Sequence, residues 1–424
     1  MLIFQIWTLI SGLALLVLGL RTRRFSKNLT LLQDLPAEIP DARRWPKLSI
    51  VIPACNEGDT IEAAMESLLA VDYPNLEIIV INDRSNDATR AIIDQLSLMD
   101  PRIKPVHVNY LPDGWLGKVN ALDRGINMST ADWVLLSDAD VHFAAQSLKS
   151  AISFCIKDKT DFMTVIPDVI TRSPVLHVVI AQLFHQASLF FRPDKINDPK
   201  HRACYGQGAF MLLRKSTYLR SMKLEWLKME VVDDTGLALL MRRAGARMAA
   251  VSGKNQIRLE WYPTFKAFTR GIEKNAFAFS QYSLSILLGF TSAVYLTAFG
   301  FLVAPFLAGH AIFPLFTLGC MAFYLRSVHL QLNKILHLKL WTALTLPVAS
   351  VFLPLLFLRA SFLTMKRGGV NWRGTFYELS DLKANQRMKL ANLVFTDVES
   401  KAEPVLAAES ASEAQDDSNI SRAA

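Results

Sequence analysis

The sequence predicts an α/β fold, a doubly wound and mainly parallel sheet, joined to transmembrane helices near the N-terminus and in the C-terminal region. Three observations predict it. Short β-rich apolar runs alternate with stretches long enough for crossover helices through the middle of the chain. Those runs are continuously apolar rather than alternating, so both faces of the sheet are covered. A charge-free stretch opens the chain, and a second long apolar region follows the α/β part.

Residues 1–20, "MLIFQIWTLISGLALLVLGL", carry no charge and are long enough for one bilayer crossing. The basic residues Arg21, Arg23 and Arg24 come after the apolar core, whereas a cleavable signal peptide places them before it. An uncleaved anchor is therefore expected, with the following chain cytoplasmic by the positive-inside rule. Residues 21–47 read as a linker.

The expected strands are "LSIVIPA" (Leu48–Ala54), "LEIIVIND" (Leu76–Asp83), "IKPVHV" (Ile103–Val108), "WVLLSDAD" (133–140) and "DFMTVIPDV" (161–169). In such a sheet a ligand crevice lies at the carboxyl ends of the strands. Three of these ends carry polar groups: Asn56 and Glu57, then Asn82 and Asp83, then Asp138 and Asp140.

Asp138 and Asp140 point the same way on an extended backbone, while a turn would splay them around one ligand. Two carboxylates facing one point repel unless a cation or proton lies between them. Oxygen ligands suit Mg²⁺ or Mn²⁺, which keep positions for substrate phosphates. The plainer reading has Asp138 capping the next helix and Asp140 solvated. The Gly-x-Gly-x-x-Gly fingerprint, the phosphate loop ending in Gly-Lys-Ser/Thr and the Gly-x-Ser-x-Gly elbow are all absent, which argues against dehydrogenases, P-loop ATPases and α/β-hydrolases. Group transfer from a nucleotide diphosphate fits what remains.

Residues 262–281 place Phe265, Phe268, Ile272 and Phe279 at helical spacings among Lys266, Arg270 and Lys274, as in an interfacial amphipathic helix. Residues 282–363 hold three apolar blocks, expected as a membrane domain of two or three helices. If all three span, Lys366, Arg367 and Arg373 fall on the side that the positive-inside rule forbids. The third block, with Pro347 and Pro354, is the candidate re-entrant segment. Residues 364–394 read as membrane-proximal, and 395–424, rich in Ala, Ser and acids, as a disordered tail.

Forty-six Lys and Arg against 38 Asp and Glu give a net charge of +8, much of it beside the apolar segments. No basic run with interleaved aromatics appears elsewhere, so no nucleic-acid partner is expected. Cys55, Cys155, Cys204 and Cys320 lack paired spacing, so neither a zinc site nor a disulfide framework is indicated, which suits a reducing cytoplasm. Nothing in the sequence sets the oligomeric state.

Five motifs in order, from "LSIVIPACNEGDTIEAAMESLLAVDYPNLEIIVINDRSNDAT" through "DGWLGKVNALDRGI", "WVLLSDAD" and "YGQGAFMLLRKSTY" to "VVDDTGLALLMRRAG", resemble family 2 glycosyltransferases of the GT-A fold. The resemblance covers residues 48–261, the expected catalytic domain. Within the family, the Gly-Trp-x-Gly-Lys stretch and the membrane blocks are most similar to membrane enzymes of hopanoid and carotenoid glycolipid pathways, and more distantly to ceramide glucosyltransferases.

The resemblance implies a donor site of Pro53, Asn56, Glu57 and Asp83 around the nucleoside, with Lys118 near the diphosphate. Asp138 and Asp140 become the metal-binding pair, Asp140 the direct ligand, and Gly206 and Gly208 let the backbone pass close to the sugar. The family's catalytic base is the Asp of a Glu-Asp pair. Here the pair reads Asp233-Asp234, so Asp234 matches the base, while Asp233 replaces the Glu and is the second choice. Both acids also suit a helix N-terminus.

The resemblance further implies a multi-pass enzyme of a bacterial-type inner membrane, moving a sugar with inversion from a nucleotide sugar, UDP being the commonest carrier, to a lipid. The Gln-x-x-Arg-Trp motif of processive polysaccharide synthases is absent, and "NWRGTFYEL" (371–379) resembles an element of the lipid-modifying relatives. The alternatives are a processive synthase, a non-catalytic nucleotide-sugar-binding membrane scaffold, and a nucleotidyltransferase releasing pyrophosphate.

Overall fold

The computed structural model describes residues 1–389 apart from 40, 42–44, 199, 200 and 202; the expected tail at 395–424 and residues 390–394 lie outside the described residues. In chain order the elements run α1 (Leu2–Asn28), β1 (Leu48–Ala54), α2 (Ile61–Leu69), β2 (Leu76–Asp83), α3 (Thr89–Met99), β3 (Ile103–Val108), α4 (Gly117–Met128), β4 (Trp133–Leu136), β5 (His142–Phe143), α5 (Ser147–Lys157), β6 (Phe162–Ile166) and β7 (Asp168–Val169). They continue with α6 (Pro174–Phe191), β8 (Met211–Arg214), α7 (Lys215–Leu219), α8 (Asp233–Arg243), β9 (Met248–Ser252), β10 (Ile257–Leu259), α9 (Phe265–Gly271), α10 (Glu273–Phe279), α11 (Leu284–Leu302), α12 (Ala304–Leu307), α13 (Ile312–Leu332), α14 (Leu340–Arg367), β11 (Gly369–Trp372), β12 (Thr375–Glu378) and α15 (Leu379–Ala384).

The central sheet has the order β3-β2-β1-β4-β8-β6-β9. All neighbouring pairs are parallel except those of β8, which runs against both β4 and β6. The mainly parallel α/β sheet expected from the sequence is thus the one observed. Every residue of β2 is buried, and β1 is buried except for Pro53. That is the pattern of strands covered on both faces.

After β1 the chain moves through β2 to β3 on one side, then returns to place β4 on the other side of β1. The crevice of such a sheet opens where the order reverses, here between the carboxyl ends of β1 and β4. Asn56, Glu57, Asp138 and Asp140 follow those two ends.

Glu77 in β2 is buried yet charged. Its carboxylate accepts from Ser49 Oγ at 2.6 Å, from the Thr130 amide at 3.1 Å and from Lys47 at 3.2 Å, and it pairs with Lys104. Burial alone would raise its pKa; the bonds from Lys104, Ser49, Thr130 and Lys47 outweigh burial and hold it far below the usual carboxylate range.

Among the described residues, five helices are long and apolar enough to cross a membrane: α1, α6 (counted with the short turn after it), α11, α13 and α14. Helix α6 has no counterpart in the sequence expectation, because "PVLHVVIAQLFHQASLFF" lies inside the catalytic region and carries His177, Gln182, His185 and Gln186 among its apolar residues. The third apolar block is one unbroken helix of 28 residues that contains Pro347 and Pro354, not a pair of half-helices. Residues 262–281 form two short helices that meet at Ile272. Phe268 and Ile272 are buried, while Phe265 and Phe279 are exposed.

Candidate active site

Two loops at the carboxyl edge of the sheet, after β1 and after β2, are laced together by short bonds. The Asn56 amide donates to Ser85 Oγ at 3.0 Å, and the Asn86 amide returns to Asn56 Oδ1 at 2.9 Å. The Glu57 amide donates to Thr89 Oγ1 at 2.8 Å. Asn56 has φ 55°, a left-handed conformation that Asn tolerates better than most residues.

Asp83 ends β2 fully buried. Its neighbour Arg84 grips it with two parallel bonds, Nε to Oδ1 at 2.8 Å and Nη2 to Oδ2 at 3.0 Å. The third Arg84 nitrogen, Nη1, donates to Thr375 Oγ1 at 3.1 Å. Gly117, opening α4, is pressed against this pair: a β-carbon there would stand 2.3 Å from Asp83 Oδ2.

Strand β4 is shorter than expected and stops at Leu136, so Asp138 and Asp140 lie in the turn after it. Lys118 Nζ is 2.7 Å from Asp138 Oδ1 and 3.9 Å from Asp233 Oδ2. Gly208 passes over this pair, where a β-carbon would come within 2.9 Å of Asp138 Oδ2 and 3.0 Å of Lys118 Nζ. Burial, followed by the charges of Asp138 and Glu57, pushes the Asp140 carboxyl up to about 7. Asp138 is held below its usual value, because its contact with Lys118 outweighs the cost of burial.

Asp233 and Asp234 form the first turn of α8. The Asp234 carboxylate accepts from the Thr235 amide at 2.6 Å. Burial and the neighbouring Asp233 raise Asp234 to about 6. Asp233 Oδ2 is buried with no hydrogen-bond donor. Glu230 fixes the chain entering α8: it accepts from the Val232 amide at 3.2 Å and from the amides of Arg387 and Met388 at 2.8 and 2.9 Å.

Pro53, Asn56, Glu57, Asp83, Lys118, Asp138, Asp140, Gly206, Gly208, Asp233 and Asp234 therefore all lie at one edge of the sheet or on the segments closing over it. A cavity of about 670 Å³ beside them is lined by Arg84, Tyr110, Trp115, Lys228, Thr375 and Tyr377 among others, and by none of those eleven residues.

Sequence reasoning missed three groups. Lys274, expected on a membrane-facing helix, instead sits 3.9 Å over the Trp372 ring, and burial and the charge of Lys118 lower it to about 8. Arg373 pairs with Glu57, and Arg84 clamps Asp83. Arg373 lies at the tip of the hairpin β11–β12, where Arg373 and Gly374 have φ 51° and 80°, both positive as in a two-residue type I′ turn. The "RG" dipeptide of "NWRGTFYEL" was the available signal for that turn.

The oxygen-only pair Asp138 and Asp140, crowded enough to oppose each other's ionisation, fits a hard divalent cation that keeps its other positions for diphosphate and water. Among the described residues no group of three or more His, Cys, Asp or Glu could hold an ion without such added ligands.

Residues 49–219 match the family described as glycosyl transferase family 2. The chain is 34% identical over 118 residues to "Probable glycosyltransferase YdaM" of Bacillus subtilis (strain 168), covering 27% of this chain and 28% of that protein. It is 36% identical over 94 residues to poly-beta-1,6-N-acetyl-D-glucosamine synthase of Staphylococcus epidermidis, covering 22% and 21%. Over 151 residues it is 28% identical to beta-monoglucosyldiacylglycerol synthase of Synechocystis sp., covering 35% and 30%. The matched stretch thus spans between about a fifth and a third of the length of these curated relatives. Among solved structures, mannosyltransferase PcManGT from Pyrobaculum calidifontis, in complex with GDP-Man and Mn²⁺, superposes with a TM-score of 0.49 at 16% identity, over 85% of this chain and 98% of that one. Residues 49–219 thus carry a glycosyl transferase family 2 domain.

Proposed function

We propose that the chain is a membrane-bound inverting glycosyltransferase, moving one sugar from a nucleotide diphosphate sugar, a UDP-sugar first among them, to a lipid hydroxyl. The observation that carries this reading is the single cluster joining Lys118, Asp138, Asp233 and Asp234 at the carboxyl edge of the sheet. The reaction needs a base on the acceptor and a counter-charge on the leaving diphosphate, and this cluster offers both.

Asp234 is the base. Raised to about 6, it is ionised at neutral pH yet basic enough to take a hydroxyl proton as the oxygen attacks the anomeric carbon. The acceptor oxygen bonds to that carbon, the bond to the diphosphate breaks, and the electron pair leaves with the nucleoside diphosphate. Attack opposite the leaving group inverts the anomeric configuration, through a transition state that carries positive charge on the sugar. Asp233, whose Oδ2 lacks a donor, positions the acceptor.

Lys118 and Lys274 face the diphosphate, and Asp83 with Asn56, Glu57 and Pro53 hold the nucleoside. Asp138 and Asp140 would hold Mg²⁺ or Mn²⁺, which neutralises charge developing on the diphosphate. Gly206 and Gly208 let the backbone pass close to Asp234 and to the Asp138–Lys118 pair, where the sugar would be bound.

A lipid acceptor is supported by the apolar helices that flank the site and by relatives whose names state lipid-linked acceptors, among them the Synechocystis enzyme and a Campylobacter jejuni undecaprenol-linked glucosyltransferase. Catalytic residues 48–261 face the cytoplasm in this reading, anchored by residues 1–20 and by the membrane segments within 282–363. The polysaccharide synthase of Staphylococcus epidermidis favours polymer synthesis as the second reading. The test is to incubate membranes from an expressing strain with UDP-[¹⁴C]glucose and other labelled nucleotide sugars, then extract. Label in the organic phase on a lipid of one added hexose supports lipid transfer; label retained as polymer supports the second reading.

A further inference from the structure

Helices α6 and α14 are apolar and long enough to cross a bilayer, but the contacts at the ends of α14 exclude a crossing. The chain entering α14 is held beside β9 and β7. Ser252 Oγ donates to the Lys334 carbonyl, Lys254 Nζ donates to the Asn333 carbonyl at 2.6 Å, and His337 meets Asp168 at 3.1 Å. The chain leaving α14 is held beside β1 and β2. There Arg373 pairs with Glu57, Arg84 donates to Thr375, and the Gly117 amide donates to the Tyr377 hydroxyl at 3.2 Å.

Ser252 ends β9, while Glu57 and Arg84 follow the ends of β1 and β2, and these strands all run in one direction. Both attachments therefore lie on the same carboxyl edge. From β2 to β9 is five strand steps, roughly 24 Å at about 4.8 Å per step. A helix of 28 residues is about 42 Å long, ample to reach across that edge. A spanning helix would instead separate its ends by about 30 Å of hydrocarbon, which no single soluble layer can hold at both ends.

The side of α14 turned away from the protein exposes Trp341, Leu344, Val348, Phe352, Leu355 and Phe362 at helical spacings, interrupted by Arg359, which pairs with Glu273 at 3.0 Å. Leu346, Ala349, Leu353 and Ala360 are buried on the opposite side. Exposed Lys339 and Lys366 bracket the stripe. Helix α6 runs the same way beside it, with His177 near Lys339 at one end and Phe191 against Phe279 at the other.

The remaining apolar helices are arranged differently. Helices α1 and α13 run side by side in one direction, Gly12 against the Phe316 ring, Gly19 against Phe323, and Ser26 Oγ donating to the Leu330 carbonyl at 3.1 Å. Gln5 at the far end of α1 donates to the Ala308 carbonyl at 3.0 Å. The α12 turn thus sits at the opposite end of this bundle from Lys334, which donates to the Leu29 carbonyl at 3.0 Å.

We propose that α6 and α14 lie in the plane of the leaflet on the catalytic side, while α1, α11 and α13 cross the bilayer. The partner of the α14 stripe is a phospholipid leaflet: the apolar side chains from Trp341 to Phe362 sink among the acyl chains, and Lys339, Arg359 and Lys366 reach the headgroup layer. The sheet's carboxyl edge then faces the membrane, and an acceptor headgroup reaches Asp234 without leaving its leaflet. This placement also removes the conflict with the positive-inside rule, since Lys366, Arg367 and Arg373 return to the side of Arg21. It rests on the reading of the chain as membrane-bound.

The test is labelling of single added cysteines by a membrane-impermeant maleimide, in intact cells and in inverted vesicles, against the parent protein. Lys339→Cys and Lys366→Cys flank α14, Leu98→Cys on α3 marks the catalytic side, and His310→Cys marks the far turn; all four positions are exposed. Labelling of positions 339, 366 and 98 from one side and of 310 from the other is the expected result. Labelling of 339 and 366 from opposite sides overturns the proposal. Labelling of all four from one side, with release of the protein by alkaline carbonate, overturns the membrane reading itself. Neither result bears on sugar transfer, which nucleotide release measures separately.

Discussion

The backbone of Gly206 runs so close to Asp234 that a β-carbon at Gly206 would stand 2.0 Å from the Asp234 carbonyl oxygen. The obstacle is backbone at the first turn of α8, which Glu230 and its bonds to residues 387 and 388 hold in place. Gly206→Ala must therefore displace the segment that carries the proposed base, Asp234. A misplacement of about 1 Å costs on the order of 100-fold in rate, so kcat is expected to fall by about that factor while nucleotide binding changes less. Steady-state kinetics beside UDP titration would show the split.

Asp234→Asn keeps the shape of the side chain and its bond from the Thr235 amide but removes the proposed base. A loss of roughly 10²- to 10⁴-fold in kcat is expected with the melting temperature unchanged or raised, since a buried carboxylate beside Asp233 is strained by like charge. Equal activity of the variant would assign the base elsewhere, with Asp233→Asn the next variant to measure.

Activity should follow a bell in pH. Asp234 is raised to about 6, so it is a base only above that value, and the acid limb falls tenfold per unit below about pH 6. Lys274 is lowered to about 8, so it carries its charge only below that value, and the alkaline limb begins there. Lys274→Arg, charged throughout, should remove the alkaline limb in a kcat/KM profile recorded in mixed buffers.

Glu77→Gln tests the fold rather than the chemistry. The buried carboxylate serves Ser49, Thr130, Lys47 and Lys104, and an amide cannot accept from all of them. A loss of about 1–3 kcal/mol is expected, read as a lower melting temperature in detergent with per-molecule activity retained. Because the folded pKa lies below the unfolded one, this stabilisation is present above the unfolded carboxylate pKa of about 4.3 and is lost as pH falls toward the folded value. The difference between wild type and variant should narrow in acid.

Much of this was legible in the chain. Continuous apolar runs such as "LEIIVIND" announced buried parallel strands, with acids at their carboxyl ends, because burial pattern and strand polarity are local properties of sequence. Strand β8 was not announced: "MLLR" is four residues long, and its antiparallel placement between β4 and β6 is decided by tertiary packing. Lys274 looked like a residue of an amphipathic surface helix, since spacing alone does not reveal that a break at Ile272 turns it toward Trp372. The Arg373–Glu57 pair joins positions 316 apart and leaves no trace in either neighbourhood.

The most direct measurement is nucleoside diphosphate release from UDP-glucose and a panel of other nucleotide sugars by detergent-purified protein, with Mn²⁺, Mg²⁺ or EDTA, with and without extracted bacterial lipid, for wild type, Asp140→Asn and Asp234→Asn. Release that needs a divalent cation, rises with lipid and is lost in both variants is the predicted result. Undiminished release by Asp234→Asn, or no release from any donor by a protein that still binds nucleotide, would contradict transfer at this cluster.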